Sequence, residues 1–147
     1  MTKKDKLARK TDYEIAMRFM RRSKENNILL QEIGFDDWHL EGSYALCTAL
    51  SNIIPQGRLV GLGSEQDAAD HVMLQVGTIY LETSSIHDYK TVIFEYNRFS
   101  KINGKIFSIG PDTITGILGS SDFQLRLVAL IRLHLQPFLE KWLPTLV

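Results

Sequence analysis

The apolar and polar positions of this chain fall into a helix-first, strand-later pattern. From Thr11, the apolar residues Tyr13, Ala16, Met17 and Met20 recur at the spacing of one helix face. Thr11 with Glu14 three residues later forms a capping box for its start, so residues 1–10 are expected to be a disordered basic lead. This helix should fray near Lys24 to Asn27, before an apolar anchor, Ile28 to Ile33, that Gly34 ends. Residues 35–42 read as a loop plugged by aromatic side chains. Ser43 to Ile54 is so apolar that it predicts a central helix covered on most sides, with Ser43 at the N-cap and Pro55 as its stop.

The second half changes period. Arg58 to Leu62 predicts a strand, followed by a polar loop over 63–70. His71 to Val76 and Ile79 to Glu82 flank Gly77-Thr78, the pattern of a hairpin with a two-residue turn. Thr91 to Asn97 and Lys105 to Ile109 read as further strands, the latter introduced by Asn103-Gly104. Pro111 opens a short helix or turn. Asp122 caps a last amphipathic helix, broken or kinked at Pro137. The expected class is α+β, one domain over residues 11–147, with helices on one side of a mostly antiparallel sheet.

Bulk charge names no partner, because 17 basic side chains balance 17 acidic ones. Their placement is uneven: residues 1–24 hold nine Lys or Arg against Asp5, Asp12 and Glu14. No aromatic residue interleaves Lys3 to Lys10, so a solvated tail is expected there and nucleic-acid binding is not. Cys47 is the sole cysteine, which excludes a disulfide framework and a cysteine-rich zinc site. The basic N-terminus lacks the apolar core of a signal peptide. The apolar stretch from Leu125 to Leu135 is too short and too charged to span a bilayer. A cytoplasmic location is therefore expected.

The hairpin carries the candidate chemistry. With Gly77-Thr78 as the turn, Val76 pairs with Ile79, Gln75 with Tyr80, Leu74 with Leu81, Met73 with Glu82 and Val72 with Thr83, and His71 faces Ser84. Alternation then places His71, Met73, Glu82 and Ser84 on one face, with His71 and Glu82 as diagonal neighbours. A carboxylate reaching an imidazole fixes its tautomer and stabilises its protonated form, the orienting half of a catalytic triad. A nucleophile belongs at a helix N-terminus, where the helix field and free N–H groups favour negative charge, and that place holds Ser43 after Gly42.

Gly42-Ser43-Tyr44-Ala45-Leu46-Cys47-Thr48-Ala49-Leu50, His71-Val72-Met73-Leu74 and Tyr80-Leu81-Glu82 together resemble small papain-like cysteine peptidase domains. Those pair Gly-x-Cys at the start of a helix with a His-Val strand and a partner strand ending in Asp. The resemblance covers roughly residues 40–84. It implies a papain-like fold, a central helix against the sheet with flanking N- and C-terminal helices, and hydrolysis of an amide, isopeptide or thioester bond in a protein or peptide. Ser43 takes the nucleophile's position, His71 the base's and Glu82 that of the orienting acid. Glu82 stands where Asp is commoner, and Ser43 where the family has cysteine. Ser43 is then an introduced replacement, a natural loss of the thiol, or a serine nucleophile, in that order. The alternative is a non-catalytic binding or inhibitor protein that keeps the cleft. Neither metal nor organic cofactor is expected.

Plainer roles compete at several positions. Ser43 alone is a helix cap, His71 alone a satisfied strand-end histidine and Glu82 alone a solvated strand residue. Cys47 reads as a small buried hydrophobe, since no helix end activates it. His87-Asp88 resembles part of a metal-dependent phosphohydrolase motif but lacks partners at ligand spacing, so it reads as loop. Trp38 and His39 sit where papain-like sites place lining or oxyanion groups, with packing an equal reading.

Overall fold

The buried stripe of the first helix runs back further than the apolar residues alone suggest. Arg9, Tyr13, Met17 and Met20 share it, and Ala8 packs against the same core. The computed structural model describes residues 1–64, 69–100, 103–110, 113 and 116–146. In it α1 spans Lys3–Arg22, capped by Thr2, whose hydroxyl accepts the Asp5 N–H. The lead expected to be disordered is thus helical from Lys3, and Thr11 lies inside the helix rather than capping it. Ser23 ends α1 and caps α2 (Lys24–Ile33), accepting from Asn26 N–H at 3.2 Å. Gly34 closes α2 in the left-handed region, φ 74°, where the absence of a Cβ removes the steric cost.

The central helix, α3, spans Ser43–Ile53. Five strands form one antiparallel sheet: β1 (Arg58–Gly63), β2 (His71–Val76), β3 (Ile79–Leu81), β4 (Ile86–Asp88) and β5 (Lys105–Ser108), in the order β4-β3-β2-β1-β5. The hairpin register is the expected one from Val76 opposite Ile79 through Leu74 opposite Leu81. β3 ends there, so Glu82 lies just past the strand, and the expected pairings of Met73 with Glu82, Val72 with Thr83 and His71 with Ser84 are not formed. β4 was not expected, since residues 86–88 read as loop.

Thr91 to Asn97, read as a strand, is instead part of α4 (Tyr89–Ser100). Its β-branched run favours a strand locally, but Val92 and Tyr96, four residues apart, are buried while Phe94 between them is 64% exposed. Helical spacing decides this segment. Asp88 also accepts the Thr91 N–H at 2.8 Å, which stabilises the helix start. The last helix, α5, spans Ser121–Trp142 and runs through Pro137 unbroken. Its cap is Ser120, accepting from Phe123 N–H, with Asp122 inside the first turn. The reading of Pro111 falls outside the described residues.

Two apolar clusters sit on opposite faces of the sheet. α1, α3 and α5 cover Val72, Leu74, Val76 and Leu81 on one face. α4 covers Val60, Leu62, Met73 and Tyr80 on the other. Helices therefore flank both faces, not the single face expected, because α4 takes the place of a strand. Among the described residues no helix is long and apolar enough to cross a membrane.

Candidate functional site

Residues 35–42 bring the chain tightly into α3. A Cβ on Gly42 would lie 2.9 Å from the Asp37 carbonyl oxygen and 3.2 Å from the Trp38 ring, so only glycine fits without a shift. Trp38 is buried and donates its indole N–H to Asn26 Oδ1 at 2.6 Å. Its role is packing. Gly42 is the N-cap of α3, which makes Ser43 the first helical residue rather than the cap.

Ser43 is fully buried, and its oxygen accepts the Val72 N–H at 3.0 Å. One turn along, Cys47 Sγ donates to the Val72 carbonyl at 3.3 Å. The β2–β3 pairing ends at Leu74 and Leu81, and beyond it α3 meets both peptide groups of Val72. Cys47 is wholly buried, and burial pushes its thiol well above the usual range. It is an inert core residue.

His71 and Glu82 meet as expected, although Glu82 lies just past the end of β3, with His71 Nε2 3.1 Å from Glu82 Oε1. His87 Nε2 lies 3.0 Å from the other carboxylate oxygen, Oε2. An ionised carboxylate only accepts, so each neutral imidazole carries its proton on Nε2. In neutral His71 the lone pair then falls on Nδ1, which is buried and makes no hydrogen bond. The structure brings His71 and Glu82 together and sets Ser43 against the peptide that follows His71, without a hydrogen bond between the Ser43 and His71 side chains.

Glu82 is held from every side. Burial pushes its carboxyl upward, but the hydrogen bonds from His71 and His87 outweigh this and hold it at about 2. Its carbonyl accepts the Tyr13 hydroxyl at 2.6 Å, and its N–H donates to the Ser85 carbonyl at 2.8 Å. Ser85 in turn donates its hydroxyl to Glu14 at 2.6 Å, so neighbouring residues of α1 clamp the turn that carries the acid.

His71, Glu82 and His87 line a cleft of about 870 Å³ bounded by α4 and the loops after β1 and β3, within the size range of small-ligand sites. His39 lines it too, its ring centroid 5.1 Å from that of His71. Partial burial, then the neighbouring His71, push the His39 imidazole below its usual range, so it is neutral near pH 7. Asp70 and Glu95 add carboxylates, with Asp70 accepting the Tyr96 hydroxyl. No group of His, Cys, Asp and Glu able to hold a metal ion is present among the described residues. Ser43 does not reach the cleft surface.

Tyr13 is the member that sequence reasoning missed, His87 the one it assigned to a loop, and His39 lines the cleft as one of its two readings allowed. His87 read as loop because the short β4 has too few residues to show alternation. Tyr13 gave only an apolar signal. Compared with protein-family models, curated proteins and solved structures, the chain matches none.

Proposed function

We propose that this chain is a papain-like hydrolase domain acting on an amide, isopeptide or thioester bond of a protein or peptide, with serine in the nucleophile's position. The observation that carries the reading is the state of His71. Its Nε2 lies 3.1 Å from the Glu82 carboxylate, and its buried Nδ1 has no hydrogen-bond partner. An unsatisfied buried nitrogen is costly and is rarely retained without a role, and a base held in one tautomer supplies that role.

In this reading the residue at position 43 gives its proton to His71 Nδ1 and attacks the acyl carbon. Backbone N–H groups at the start of α3 stabilise the oxyanion. His71 then returns the proton to the departing amine or thiol. A water molecule, deprotonated by the same nitrogen, releases the acyl group. Ser43 is sealed from the cleft and its oxygen is engaged by Val72, so attack requires position 43 to be uncovered. A serine hydroxyl also ionises far less readily than a thiol, so the reaction is slow with Ser43 and faster with cysteine.

The burial of Ser43 specifically favours the second reading, a binding protein that keeps the cleft without the chemistry. Turnover of a peptide thioester separates the two. Ser43→Cys should hydrolyse it, and the added His71→Ala should abolish that gain. A folded Ser43→Cys chain with no turnover of thioester, amide or isopeptide model substrates would place the binding reading first.

A further inference from the structure

We infer that His87 is a positioning residue that acts through Glu82 to fix the orientation and tautomer of His71. The inference deepens the hydrolase reading and rests on it. A carboxylate with one occupied oxygen can rotate or turn its free oxygen to water. Here both oxygens are taken, Oε1 by His71 and Oε2 by His87, at 3.1 and 3.0 Å. His87 is itself fixed from both sides along β4. Ile86 before it is 5% exposed in the main core, and Asp88 after it accepts the Thr91 N–H at the start of α4. Alternation turns His87 to the opposite face from Ile86, where it pairs with Tyr80 and lines the cleft.

The sequence motif His87-Asp88 is thereby divided between two tasks. Asp88 serves the helix and His87 serves the acid. The consequence for His71 is direct: Glu82 orients it only as well as Glu82 is itself oriented, and in this chain that orientation comes from a second imidazole.

Nitrogen-15 NMR of the histidine side chains tests this in the full chain. In the native protein both His71 and His87 should be Nε2–H tautomers, with the His71 proton slow to exchange. His87→Phe keeps the ring's bulk and removes the donor. It should speed exchange of the His71 Nε2–H by ~10-fold or more, the scale of one lost charge-assisted hydrogen bond, and mix its tautomers. His87→Gln places an amide N–H near the position of the lost Nε2–H and should restore most of the native behaviour, which a purely space-filling role would not do. Native His87 found as the Nδ1–H tautomer would overturn the inference, even if His87→Phe failed to fold. So would a folded His87→Phe chain with an unchanged His71 proton. If the NMR responses appear while Ser43→Cys shows no activated thiol, the hydrolase reading fails and the steadying of Glu82 by His87 stands.

Discussion

Tyr13 donates its hydroxyl to the carbonyl of Glu82 at 2.6 Å, tying the first helix to the residue that orients His71. Tyr13 is fully buried and meets Phe138 of α5 edge-on, so its ring cannot drift from this contact. Tyr13→Phe should preserve the packing and leave the Glu82 carbonyl without that donor. The expected cost is about 1–2 kcal/mol in urea unfolding, with the His71 tautomer less well fixed. Unchanged stability would mean that α1 does not hold the site.

The same contact changes what the N-terminus does. Residues 1–7 carry the outer turns of α1, whereas Ala8 packs on the core and Arg9 is only 8% exposed. Deleting residues 1–7 should leave the melting temperature nearly unchanged. Deleting residues 1–10 should destabilise by ~1 kcal/mol or more, through lost burial and a shortened helix. Equal melting temperatures for the two truncations would return residues 8–10 to the role of a solvated lead.

Acid titration reports the Glu82 pairings. Its carboxyl is held at about 2 against an ordinary value of 4.5. A lowered folded-state value contributes stability that is complete above the ordinary value and lost as pH falls through the folded one. The native chain should therefore lose up to ~3 kcal/mol between about pH 4.5 and 2 from this group. Glu82→Gln should flatten that limb while lowering stability near pH 7. Parallel acid limbs in the two proteins would show that the carboxylate is not specifically paired.

Asn26 tests how the approach to α3 is built. It accepts the Trp38 indole N–H at 2.6 Å in the interior, and Trp38 supports the tight passage through Gly42. Asn26→Ala should leave that buried donor unpaired and cost ~2 kcal/mol in unfolding. Hydrogen exchange should rise first at residues 37–43. A uniform rise over the whole chain would contradict a local role.

Much of the site was legible because it depends on strand alternation. Gly77-Thr78 fixes the register of the paired strands, and the chain continued one residue past Leu81 brings Glu82 to His71. The departures occur where tertiary contacts decide. Residues 91–97 carry strand-forming side chains, yet Val92 and Tyr96 fit the sheet only at helical spacing. β4 pairs through three residues, too few for a pattern, and so His87 read as loop. The basic run from Lys3 to Lys10 hid a helix whose buried face begins at Arg9, a charged residue that no apolar pattern would mark.

What position 43 and His71 can do together is measured by the rate of thiol alkylation in Ser43→Cys. A thiol placed there gains a helix N-terminus and an imidazole with a free Nδ1, both of which favour its ionised form. Position 43 is as buried as Cys47, so labelling needs the site to open, and on the hydrolase account it opens. Iodoacetamide should then label the thiol near neutral pH at least ~10-fold faster than a free cysteine, with the rate falling when His71→Ala is added. Cys47, buried one turn deeper with its thiol pushed up, is the internal control and should label slowly in the same molecule. Peptide mass spectrometry separates the two sites. A position-43 thiol that labels no faster than free cysteine, and at the same rate without His71, would contradict the hydrolase account.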